Sequence, residues 1–331
     1  MIDERHLRDV RLSAHPRGQI IVGTLLLRLN YNLPPRTRIR IEGLENLPPA
    51  RRVIFALNHT DRYNYWPFQY QMWRTGGLPY TVTWVKAKYY RHPLMRFFFD
   101  ACNNIPLPSR GYLVLEDARQ LLGRVLHDDE YRTLRDLADG RRAQSSVDLD
   151  AGAALRRVLT EKRRDFDPGG ETYADFIGRW NDRLMELVEH RTVEALFEHG
   201  CNVIVFPQGT RSIRLLPGHT GLAQFALRHD VPVVPVGSNG SERVYPSSSP
   251  WASGGTILYR VGKPMTTADQ LADCRIAEPY APFTRSADRH QAAFERATQR
   301  ITAAIDELLD EPYRMAAATQ RDARSRVAAL S

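Results

Sequence analysis

The sequence predicts an α/β fold, a single domain in which a mostly parallel central sheet is covered by helices on both faces. Three observations carry that expectation. The strand-like runs VIFAL (53–57), NVIV (202–205) and VPVVPV (231–236) are apolar throughout rather than alternating, as strands buried on both faces must be. They alternate along the chain with segments of helical spacing. Two of them run directly into short polar loops, NHTDRYN and FPQGTRS, and open α/β sheets gather their ligand sites at such strand ends.

The elements follow in order. An apolar N-terminal helix reaches about residue 33, within an N-terminal segment of residues 1–35. Its run IIVGTLLL (20–27) is too short to cross a bilayer, which takes ~20 apolar residues. Arg8, Arg11 and Arg17 precede it and no small-residue cleavage site follows, which argues against a secretory leader. The helix is either buried or lies in a membrane interface with its arginines at headgroup level. A main domain, 36–310, opens with the short strand 38–41 between turn signals, then VIFAL, then YTVTWVKA, with YYRHPLMRFFFDAC reading as helix. The prolines of NNIPLPSR exclude a helix interior there. From about 111 to 200 the pattern is helical and polar, an insertion whose charged part, 128–170, reads as a surface excursion. Phe176, Trp180, Leu184, Leu187 and Val188 mark its long helix, and Gly200 sits where a C-terminal cap belongs. After NVIV come a short helix (TGLAQFALRHD), the strands VPVVPVGS and GGTILYRVGKP, a helix from about 285 to 309, and a tail, 311–331.

Composition narrows the partners. The 331 residues are 43% hydrophobic with a formal net charge of +8, so anionic partners are favoured: nucleic acid, an anionic membrane surface or phosphorylated substrates. The charge is almost all arginine, lysine standing only at Lys86, Lys88, Lys162 and Lys263. No helix-turn-helix, zinc or RNA-binding signature accompanies it, so no nucleic-acid partner is expected. Cys102, Cys201 and Cys274 are widely spaced and match neither a metal nor a disulfide framework. A reducing cytosolic compartment fits, with no metal and no tightly held cofactor expected.

Chemistry concentrates in the two loops. His59 is a natural general base, because its ordinary pKa of ~6.5 lets it accept a proton near neutrality. The alternative for a lone histidine is to cap the start of the following helix. Gly209 allows close backbone approach, Thr210 and Ser212 offer hydroxyls, and Arg211 can grip a phosphate bidentately; the alternative is a turn whose arginine meets solvent. Trp66, Tyr70 and Trp73, with Tyr65 beside them, form a helical stripe that suits core packing or an interfacial belt.

Taken together, NH at a strand end, AK before YYRHPLMRFFFDACNNIPLPSR, FPQGTRS with PGHTGLAQFAL downstream, and VPVVPV with VGKP resemble the lysophospholipid (glycerolipid) acyltransferase family. That family includes the 1-acylglycerol-3-phosphate acyltransferases of phospholipid biosynthesis. The resemblance covers about residues 38–264, with the insertion falling between its second and third motifs. It implies that a histidine deprotonates an acceptor hydroxyl, which attacks an acyl thioester on CoA or acyl carrier protein as co-substrate. It also implies phosphate contacts from Gln208, Gly209, Thr210 and Arg211, and from Arg110 at the end of the second motif. The N-terminal element implies a peripheral place on the cytoplasmic face of the inner membrane.

Two positions depart from the family pattern. Asn64 stands where the motif has aspartate, and Gln208 where FPEGT has glutamate. An asparagine stabilises an imidazolium far less, a change worth ~10⁴ in rate in a catalytic triad. Either activity is weak, leaving a lipid-binding relative, or Asp61 has taken over as the acid beside His59; the second reading is preferred.

Overall fold

The computed structural model describes residues 2–48, 52–148, 152–163, 165–317 and 319. Most of the tail expected at 311–331 therefore lies outside the described residues. The chain divides into two compact units: a larger one of residues 11–84, 98–105 and 189–331, and a smaller one of residues 1–10, 85–97 and 106–188.

The larger unit is built on strands β1 (Thr37–Glu42), β2 (Ile54–Leu57), β3 (Thr81–Lys86), β4 (Asn104–Leu107), β5 (Asn202–Val205), β6 (Val233–Asn239) and β7 (Gly255–Val261). They form one seven-stranded sheet in the order β1-β7-β6-β2-β5-β3-β4. β2 lies parallel to both β5 and β6, β3 is parallel to β5, and β1 is parallel to β7. The β6–β7 pairing is antiparallel, Val236 facing Val261 and Asn239 facing Leu258. β2, β5 and β6 are buried along their whole length, which explains their unbroken apolar runs.

One face of the sheet carries an aromatic core. Phe55 of β2 meets Phe68 edge-on at 5.2 Å, and Phe68 in turn meets Tyr259 of β7 at 5.2 Å. Phe68 belongs to the helix Tyr65–Thr75, which follows the NHTDRYN loop. The helix Gln291–Glu307 buries Phe294, Ala297, Thr298, Ile301, Thr302 and Ile305, a spacing of three and four that makes one apolar stripe.

The N-terminal helix is interrupted. Glu4–Asp9 forms one turn and a half in the smaller unit, and a second helix begins at Arg17 in the larger one, its middle, Val22–Leu27, wound as a π-helix before Arg28–Asn32 closes it. Gly23, Leu27, Asn30 and Tyr31 face inward. Ile21, Leu25, Leu29 and Leu33, each four residues on from the last, are exposed. Among the described residues no helix is long and apolar enough to cross a membrane.

The smaller unit is helical: Arg110–Leu122, Asp128–Ala138, Ala153–Thr160 and most of Tyr173–Val193. The charged stretch 128–170, expected as a surface excursion, instead buries Leu134, Leu137, Val158, Leu159 and Phe166. Most of its charge stays at the surface, but one arginine turns inward. Arg163 grips Asp117 through two nitrogens at 3.0 Å, and Tyr173 donates to the same carboxylate at 3.2 Å. Glu116, fully buried, is held by Arg91 and Arg119. A high charge count thus conceals a core, because buried charges that are paired are tolerated inside.

Candidate functional site

Two strand ends build the site, and both are fixed before any reactive side chain is placed. Asn58, the first residue beyond β2, is buried, and its side chain exchanges two hydrogen bonds with the backbone of Ser238 on β6, at 3.0 and 2.7 Å. His59 follows, half-buried, its ring stacked on Phe206 with centroids 4.2 Å apart. Phe206 is the residue directly after β5, so the second loop supplies the floor for the base carried by the first. Tyr65 meets the same Phe206 edge-on at 6.2 Å.

Asn64, completely buried, lies at the start of the helix and turns back toward the histidine. Its Nδ2 donates to the carbonyl of Asn58 at 2.7 Å, which leaves its oxygen facing His59 Nδ1 at 3.2 Å. An amide so oriented presents only an acceptor to the ring, so Nδ1 carries the proton and Nε2 is the basic nitrogen. The carbonyl of Asn64 accepts from the hydroxyl of Tyr259 at 2.5 Å.

The preferred expectation for Asp61 is therefore corrected: the residue at His59 Nδ1 is Asn64. Asp61 is buried, and its carboxylate accepts from the Thr60 hydroxyl at 2.9 Å and the Tyr63 amide at 2.8 Å. Both donors are local, and they bend NHTDRYN into an Asx-type turn. Burial pushes the Asp61 carboxyl above the ordinary carboxylate range; nearby hydroxyl and amide donors, Ser241 among them, pull it back only in part.

The second loop is tied to the first by its backbone. The Ser212 amide donates to the His59 carbonyl at 2.9 Å. Gln208, expected among the substrate contacts, has an almost fully buried side chain; its oxygen accepts from the His59 amide at 3.3 Å and its nitrogen donates to the carbonyls of Thr210 at 2.9 Å and His59 at 3.4 Å. Gly209 has φ +63°, a conformation that suits glycine, and a Cβ there would come within 2.8 Å of the His219 ring. Thr210 and Arg211 are exposed at the turn, and Arg211 makes no ion pair among the described residues. Arg110 belongs to the smaller unit, where it is the first residue of the helix Arg110–Leu122, capped by the Ser109 hydroxyl.

A small cleft of about 50 Å³ lies next to this constellation, Tyr65 both lining it and meeting Phe206. Tyr65, Trp66, Tyr70 and Trp73 line one wall, and Val22, Gly23 and Leu27 of the N-terminal helix line another. The aromatic stripe packs as core, Tyr70 within it and Tyr65, Trp66 and Trp73 against it, and also lines this cleft. Sequence reasoning missed the roles of Phe206 and Tyr259. Phe206 could have been found, since it opens the FPQGTRS motif, whereas nothing local marks Tyr259, which comes from a distant strand.

Among solved structures the chain is similar to the crystal structure of the 1-acyl-sn-glycerophosphate (LPA) acyltransferase PlsC from Thermotoga maritima. The two share 15% identity over 92% of this chain and 83% of that one, with a TM-score of 0.37. No curated protein matches the sequence. The acyltransferase family model matches residues 38–134 and 172–239, which hold both motif loops and β2 to β6, and the chain belongs to the acyltransferase family.

Proposed function

We propose that the protein moves a fatty acyl group from an acyl-CoA or acyl-carrier-protein thioester to the hydroxyl of a lysophospholipid or related lipid, with His59 as general base. The observation that carries this reading is the held imidazole: Nδ1 on Asn64, ring on Phe206, backbone locked to the GTRS loop. Nε2 takes the proton of the acceptor hydroxyl, whose oxygen attacks the thioester carbonyl. As the tetrahedral intermediate collapses, the C–S bond breaks and the imidazolium returns its proton to the thiolate. No acyl-enzyme forms.

The exposed Arg211, beside Thr210 and the Gly209 turn, suits an acceptor phosphate; 1-acylglycerol-3-phosphate is the acceptor class this favours. Trp66, Trp73, Val22 and Leu27 give the cleft an apolar lining against which a lipid chain can rest. The exposed stripe Ile21, Leu25, Leu29 and Leu33, with Arg17 and Arg28 on the same helix, supports peripheral docking on an anionic membrane surface, on the cytoplasmic side. Labelled acyl transfer from a thioester to lysophosphatidate, present in the wild type and lost in His59→Ala, tests the reading. Absence of transfer from either donor class would refute it.

A second reading, a lipid-binding relative with impaired catalysis, rests on the two amides Asn64 and Gln208. It predicts lysolipid binding without turnover.

A further inference from the structure

We propose that Asn64 and Gln208 are matched positioning residues, which hold His59 by giving amide N–H groups to backbone carbonyls, so that the acids of the family motif cannot replace them in this chain.

Three carbonyls carry the argument. Asn58 C=O takes the Asn64 amide at 2.7 Å, and Thr210 C=O and His59 C=O take the Gln208 amide at 2.9 and 3.4 Å. None of them is at liberty to turn away. Asn58 is clamped to β6 by the two bonds between its side chain and the Ser238 backbone. The His59 carbonyl is also fixed by Ser212, and the Thr210 amide is held by the Gln208 carbonyl at 2.8 Å. Each side chain also needs an oxygen: Asn64 for the His59 ring and Gln208 for the His59 amide. Only an uncharged amide offers N–H and oxygen at once. A carboxylate would keep the oxygen and set a negative atom against fixed carbonyl oxygens, in a site where Asn64 is fully buried and Gln208 nearly so. The two departures from the family motif are thus one device: a neutral cradle across both loops that sets the position and tautomer of the base.

The kinetic part of this proposal rests on the acyl-transfer reading; the spectroscopic part does not. The full-length protein, labelled with ¹⁵N-histidine and assigned with His59→Gln, should show His59 protonated at Nδ1. Gln208→Glu should lower kcat for thioester-to-lysophosphatidate transfer by about 10- to 100-fold, with KM little changed, and Asn64→Asp should bring none of the gain that a charged partner for the imidazolium would otherwise give. The ratio of Gln208→Glu to wild-type kcat should rise as the pH is lowered toward the carboxyl range, because a protonated acid regains one donor. The groups whose own titration or charge bears on that ratio are His59, Asp61 and Arg62 on the first loop, Arg211, Arg214 and His219 on the second, and Tyr259 behind them. Gln208→Met, which loses the bonds without adding charge, should fall between wild type and Gln208→Glu, and retained circular dichroism and Tm in any one of the three variants keep the comparison valid. A proton on Nε2, Gln208→Glu as active as wild type with an unchanged pH profile, or Asn64→Asp more active than wild type would overturn the proposal. If the wild type transfers no acyl group at all, the tautomer still decides the matter.

Discussion

The helix containing residues 17–32 offers the most quantitative test of membrane docking. Ile21, Leu25, Leu29 and Leu33 keep 57%, 62%, 53% and 57% of their surface exposed. Burying a whole leucine or isoleucine side chain is worth about 1.5–3 kcal/mol, so sinking the exposed half of each contributes about 1–1.5 kcal/mol. The double substitution Leu25→Glu/Leu29→Glu removes two of the four contributions, about 2–3 kcal/mol, and adds charge repelled by anionic lipid. Together these come to about 3–4 kcal/mol, a loss of about 10²- to 10³-fold in vesicle partitioning. Both positions already face solvent, so Tm should stay within about 1 °C to 3 °C of wild type, surface changes being worth little. Sedimentation with vesicles containing anionic phospholipid reads the partition directly. Unchanged partitioning of a folded double variant would refute the docking of this stripe.

Three further outcomes follow from the site. His59→Ala should lower transfer by about 10²- to 10⁴-fold, the usual worth of a general base, while leaving circular dichroism unchanged. Asp61→Asn should raise Tm at neutral pH. Burial lifts the Asp61 carboxyl above its unfolded value, so its contribution to stability is fully present below the ordinary carboxyl range and is lost as pH rises through the lifted value. The Tm gain should therefore shrink when both proteins are melted in acid, and a gain independent of pH would contradict the assignment. Gly209→Ala forces a side chain into φ +63° and toward His219, a strain of about 1–2 kcal/mol; its effect should show in the KM for a phosphorylated acceptor.

Much of the architecture was legible because it depends on local pattern. β2, β5 and β6 reveal themselves by unbroken apolar runs, and the two loops by the polar residues that interrupt those runs. What resisted reading depends on contacts distant in the chain. Asp61 and Asn64 are both within reach of an imidazole by spacing, and only the turn made by Thr60 and Tyr63 shows that Asp61 is already engaged. The direction of β7 was equally hidden: GGTILYRV reads the same in a parallel or an antiparallel pairing. The stretch 128–170 misled through its charge, since the sequence does not show that Arg163 closes on Asp117.

The bond from Tyr259 to the Asn64 carbonyl ties the motif loop to a residue made 195 positions later. During synthesis the ribosome therefore releases the base long before it releases the hydroxyl that braces its neighbour. A nascent chain halted ahead of β7 would carry both motif loops and still lack a finished catalytic loop, so competence arrives with one of the last strands to emerge.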